Sequence, residues 1–84
     1  ISCKGIDVSA GFTDSDDLHA NNKRTMLKSA KDRILAIDSS KFDRIAFTEI
    51  GTLEDLTAVI TDERPEDKWL QVFKDSGIQC IYPQ

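Results

Sequence analysis

Three short apolar runs in this chain each stop at an aspartate. Gly5-Ile6 ends in Asp7, Ile34-Leu35-Ala36-Ile37 ends in Asp38, and Val59-Ile60-Thr61 ends in Asp62. A run of four or five apolar residues that meets a carboxylate is too short for a buried helix and fits a strand leaving a core. The middle run continues into Asp38-Ser39-Ser40-Lys41-Phe42, so two hydroxyls and an ammonium follow the carboxylate. Open α/β folds hold ligands outside the carboxyl ends of their strands. If the three strands are parallel, Asp7, Asp38 and Asp62 share one polar rim, with Ser39, Ser40 and Lys41 beside them. Carboxylates accept from sugar hydroxyls, while lysine and serine donate to phosphate, so this mixture suits a polyhydroxylated anion. The alternative is that each aspartate caps the turn that follows it and Lys41 is solvated.

The segments between these runs read as helices. Thr13-Asp14-Ser15-Asp16-Asp17 offers N-cap candidates and first-turn negative charge, and Lys28, Lys31 and Arg33 place positive charge at the far end. The spacing predicts a helix over roughly 16–32 with Met26, Leu27 and Ala30 on its inner face. Lys23 falls on that same face, where a cation needs an anionic partner or a path to water. Pro65, the Trp69-Leu70-Phe73 face and Gly77 predict a second helix over about 65–76. Strands are expected over 1–6, 33–38, 57–62 and 78–82. Val8 to Thr13 reads as a loop that bends at Gly11, and 44–50 as either a short strand or a bent helical turn. Thr52-Leu53-Glu54-Asp55 has the spacing of a capping box. The order β-α-β-(β)-β-α-β implies an α/β fold with a mainly parallel sheet and helical crossovers.

Eighty-four residues make a single domain with a modest core. The net charge of −4 argues against a surface that grips a phosphate backbone, which needs clustered Lys and Arg. No apolar run approaches the roughly 20 residues of a membrane span, and no charged-then-apolar leader is present, so a cytoplasmic protein is expected. Cys3 and Cys80 sit in apolar strands without metal-ligand spacing and read as buried thiols. No nucleophile elbow, phosphate-cradling glycine loop or Cys/His pairing occurs, which gives hydrolase and nucleotide-binding readings little support. His19 reads as an exposed helix residue, and Trp69 and Phe73 as core. The chain begins without Met inside an apolar segment, and a fragment lacking its upstream part is expected.

In order and spacing, Gly5-Ile6-Asp7, Gly11-Phe12-Thr13-Asp14, Lys23-Arg24-Thr25-Met26, Asp38-Ser39-Ser40-Lys41-Phe42, Ile60-Thr61-Asp62 and Gly77-Ile78 resemble the effector-binding domain of DeoR-type transcriptional regulators. The resemblance covers nearly the whole chain. It implies that residues 1–84 are the C-terminal part of a sensor domain, with the N-terminal winged helix-turn-helix and the first half of the sensor absent. The implied fold is a three-layer, partly Rossmann-like sandwich similar to ribose-phosphate isomerase and CoA-transferase relatives. The implied function is non-catalytic. A phosphorylated sugar or related metabolite would modulate DNA binding by the full-length protein, in most cases as a repressor of sugar metabolism genes, and the protein would be a homo-oligomer with no cofactor. The resemblance nominates Asp7, Lys23 and Lys41 as effector contacts, with Asp38 and Ser40 as neighbours. The enzyme alternative is a sugar-phosphate isomerase on the same fold. A second acid tends to follow the Gly-x-Asp segment in those relatives, whereas Val8 stands here.

Overall fold

The computed structural model describes residues 1–84 and contains two three-stranded sheets and two helices around one core. β1 (Gly5–Asp7) and β2 (Gly11–Asp14) form a hairpin, α1 (Asp17–Ser29) follows, and then β3 (Ile34–Ala36). A 3-10 turn at Ser39–Lys41 precedes β4 (Thr48–Gly51), and a second at Leu53–Asp55 precedes β5 (Ala58–Ile60). α2 (Asp67–Asp75) and β6 (Gln79–Ile81) close the chain.

The single, mainly parallel sheet expected from the element order is not what forms. β1, β2 and β4 make an antiparallel sheet, and β3, β5 and β6 make a parallel one. The difference arises at Val8 to Thr13, where a loop was expected and a strand begins at Gly11. Asp7 pairs directly with Gly11 across the turn, and Gly11 takes φ 75°, which only glycine adopts without strain. A side chain there would also run into the carbonyl oxygen of Gly51. The tight turn reverses the chain before a helix can cross over, so β1 and β2 become antiparallel neighbours. The first expected strand is correspondingly shorter, although Lys4 N–H extends the ladder to Thr13 O at 2.8 Å.

α1 begins where its cap dictates. Asp16 Oδ1 accepts from His19 N–H at 2.8 Å, Asp17 sits in the first turn and Lys28 in the last. Its inner face is Ala20, Lys23 and Leu27 rather than the Met26 phase expected, and Met26 is 54% exposed. α2 starts two residues later than expected, because Pro65 precedes the N-cap Glu66, and it ends before Gly77 at φ 71°. Its Trp69 and Phe73 are buried and stack with Phe42 at centroid distances of 5.2 Å and 6.2 Å. These rings join Leu35, Ile37, Val59 and Ile78 under the parallel sheet and Ile6, Phe12 and Ile50 under the antiparallel one.

β3 was expected to be covered on both faces. Instead only Leu35 is buried, and Ile34 and Ala36 face outward. With Ile60 and Ile81 they leave an open apolar face on the parallel sheet, a kind of sheet normally covered on both sides. The thiols of Cys3 and Cys80 are free, the first buried and the second half-buried. Neither helix is long and apolar enough to cross a membrane.

Candidate functional site

At the carboxyl end of the parallel sheet, β3 and β5 deliver Asp38 and Asp62 to the same 3-10 turn. Asp62 Oδ1 accepts from Ser39 N–H at 2.7 Å, and Asp38 Oδ1 accepts from Ser40 N–H at 2.9 Å and from the Ser40 hydroxyl. The Ser40 hydroxyl, then its N–H, hold the Asp38 carboxyl below the usual range, with Lys41 adding to the effect. Two carboxylates from neighbouring strands therefore build the turn that carries Ser39, Ser40 and Lys41. Lys41 Nζ lies 3.7 Å from Asp38 Oδ2, a loose pair that leaves ammonium donors available on a side chain that is 27% exposed.

Asp7 reaches this region from the other sheet. Ile6 makes a parallel bridge to Phe42, and Asp43 N–H donates to Ile6 O at 2.8 Å, which ties the end of β1 to the segment after the 3-10 turn. Asp7 itself turns inward on its own hairpin, where Oδ2 accepts from Ser9 and Ala10 N–H at 2.9 Å each. The rim thus has two parts, an Asp38-Ser40-Lys41-Asp62 cluster and a neighbouring Asp7 end.

Lys23 is engaged within the fold. Its Nζ sits 2.5 Å from Asp14 Oδ2 on β2, and the Asp14 side chain is 1% exposed. Burial alone would raise the Asp14 carboxyl, but the bonds from Lys23 and from Ser15 N–H outweigh it and hold it low. The inward cation of α1 has found its anionic partner inside the fold, in the residue that the sequence offered as a cap. Signal for this existed, since a lysine on an apolar helix face demands a carboxylate nearby.

Two rim groups escaped sequence reasoning. Asp43 adopts φ 61°, a conformation that Asp tolerates better than most residues. Its carboxylate accepts from Trp69 Nε1 at 3.2 Å and pairs with Lys68 Nζ at 2.9 Å. Lys68 is shifted up chiefly by the Asp43 bond, with smaller effects from the charges of Glu66 and Asp7, so α2 brings a second cation toward the Asp7 end. No local sequence pattern announces this meeting of residues 7, 43 and 68.

Known proteins resemble this chain in sequence. The model of the family described as DeoR C terminal sensor domain matches residues 1–63. The L-fucose operon activator of Escherichia coli (strain K12) is 44% identical over 63 residues, covering 75% of this chain and 26% of the activator. The uncharacterized HTH-type transcriptional regulator YulB of Bacillus subtilis (strain 168) is 33% identical over 79 residues, 94% of this chain and 31% of that protein. The glycerol-3-phosphate regulon repressor of E. coli K12 is 30% identical over 79 residues, again 94% and 31%. The chain spans between a quarter and a third of the length of these curated relatives.

Proposed function

Given that this chain belongs to the family of DeoR C-terminal sensor domains, we propose that it senses a phosphorylated sugar or a related phosphorylated metabolite at the carboxyl edge of its parallel sheet. The observation that carries this reading is the partly exposed Lys41 side chain, held on a turn built by Asp38 and Asp62 and only loosely paired. Lys41 and the serine groups would meet a phosphate, and the spare oxygens of Asp38 and Asp62 would accept from hydroxyls. Asp7 serves as a neighbour at the rim. Lys23, paired to Asp14, acts from within the fold by holding β2 and α1 together. The names of the relatives, a fucose operon activator and a glycerol-3-phosphate regulon repressor, fit an effector of this class.

In this reading residues 1–84 are the C-terminal part of a longer sensor in the cytoplasm, and a winged helix-turn-helix elsewhere in the polypeptide binds DNA. The remainder of the sensor would lie on the open face of β3, β5 and β6 and complete a three-layer, Rossmann-like sandwich. Effector binding would bias a homo-oligomer between DNA-competent and released states through its differential affinity for the two, without chemistry. An isomerase reading is not favoured, because the relatives are transcriptional regulators and Asp7 directs its carboxylate at its own turn.

A thermal-shift screen of the full-length protein against sugar phosphates tests the proposal. A true effector at 100 times its Kd stabilises by about 2.7 kcal/mol, and Lys41→Ala should abolish that shift. No stabilisation by any member of the panel, or an unchanged shift in the variant, rejects it.

A further inference from the structure

The largest cavity in the chain, about 420 Å³, lies away from the rim, between the C-terminal half of α1 and β4. Leu27 and Ile50 give it apolar walls, and Gly51 lets β4 pack closely beneath it, since a Cβ there would run into Asp55 Oδ2 at 2.7 Å and the Phe12 ring at 2.9 Å. Arg24, Lys28 and Arg33 also line it. The five ion pairs of the chain use His19, Lys23, Lys41, Arg64 and Lys68, so none of these three cations has a carboxylate partner.

The two arginines are nonetheless fixed. Arg24 donates through a terminal guanidinium nitrogen to Glu49 O, and Arg33 donates through Nε to Asp55 O, with further bonds to Ala30 O at 3.4 Å and Lys31 O at 3.5 Å. A neutral carbonyl orients a guanidinium without cancelling its charge, and each arginine keeps unused N–H donors. Two acids, Glu49 and Asp55, are also in the wall; Asp55 accepts from Thr52 N–H at 2.9 Å and faces its hydroxyl at 3.4 Å, bonds that orient its carboxylate and leave its charge in place. Attraction to the helix C-terminus accounts for Lys28, in the last turn, and for part of Arg33, which reaches the C-cap carbonyl of Ala30, but not for Arg24, whose head group is held on β4. In a chain of net charge −4, the lining of this half-open cleft of metabolite size holds three cations against two carboxylates.

We infer that this cleft is a second anion-binding site, distinct from the Lys41 rim, that takes a small dianion such as phosphate or the phosphate group of a metabolite. Its volume admits a small molecule and not a nucleic acid backbone or a peptide helix. Arg24 and Arg33 would supply directed bonds and Lys28 the mobile third charge.

The test is a titration of the ¹⁵N-labelled 84-residue chain with inorganic phosphate at constant ionic strength, followed by amide shifts. Saturable shifts at Leu27, Ile50 and Gly51 are expected in the millimolar range or below. Lys28 is exposed and can be reversed without loss of a contact, so Lys28→Glu should weaken binding by about tenfold or more while Lys28→Arg retains it. If the reversed variant melts early, Arg24→Gln provides the same reading. Linear, non-saturating shifts, shifts confined to Ser39 to Lys41, or equal affinity in wild type and Lys28→Glu would overturn the site. Lys41→Ala should leave this titration unchanged, so failure at the rim and failure at the cleft are separable.

Discussion

The two sheets treat polar and apolar groups in opposite ways. The antiparallel sheet buries polarity: Asp14 and Thr13 are both inside, the first paired with Lys23, the second donating to Gly5 O at 3.3 Å and accepting from Ala46 N–H at 2.8 Å. The parallel sheet exposes apolar surface, with Ile34, Ile60 and Ile81 each more than 40% accessible on its open face. One sheet is internally satisfied, and the other leaves its outer face open. Stability within this chain should therefore concentrate in the hairpin, α1 and the shared core, while the outer parallel face should tolerate change.

The sharpest way to break this contrast is Lys23→Met. It leaves a buried carboxylate uncompensated and should cost about 3–5 kcal/mol in urea unfolding. Adding Asp14→Asn should recover much of that loss, since the isolated buried charge is what is costly. A loss under about 1 kcal/mol would show the pair to be a surface contact in solution.

Next in size is a neighbouring pair on the parallel sheet. Leu35→Ala, at a fully buried position, should cost about 2–5 kcal/mol. Ile60→Ala, on the open face, should stay within about 0.5 kcal/mol in this chain. In a full-length protein whose sensor covers that face, the same Ile60→Ala should become the more damaging of the two contexts, and equal small effects in both would argue that the face stays bare.

A smaller effect concerns pH. The folded Asp14 carboxyl is held below its ordinary value, so the unfolded chain binds more protons and stability rises with pH in this range. The contribution is fully present above the unfolded pKa of about 3.9 and is lost as pH falls through the folded value. Acid unfolding curves of the Asp14→Asn, Lys23→Met double variant should be flatter there than those of the wild type. Smallest of all, Lys41→Ala should change stability by no more than about 1 kcal/mol, because its pair with Asp38 is long and half exposed.

Much of this was legible beforehand. The helix around Lys23 and the Trp69 and Phe73 core face follow from spacing and cap chemistry, which are local, and the arrival of Asp38 and Asp62 at one sheet edge follows once β3 and β5 are taken as parallel. The antiparallel hairpin was not, because a two-strand ribbon and a strand followed by a loop share the same glycine and turn residues until pairing selects between them. An apolar Met26 suggests an inward position beside Leu27, whereas packing turns inward Ala20, Lys23 and Leu27, a face that contains a charge. Asp43 and Lys68 meet 25 residues apart through a left-handed residue, and the cleft cations are oriented by carbonyl oxygens of β4 and the second 3-10 turn. Such encounters depend on tertiary geometry that no window of sequence contains.

The bond from Trp69 Nε1 to Asp43 has a practical consequence. The chain carries a single tryptophan, fully buried, whose indole touches the segment tied by Asp43 to the end of β1. Its emission is therefore a built-in optical gauge of the seam between the two sheets. Separation of the halves, or a ligand that shifts the Phe42 to Asp43 segment, would change its colour and intensity without any added label, while motions confined to the outer parallel face would leave its emission unchanged.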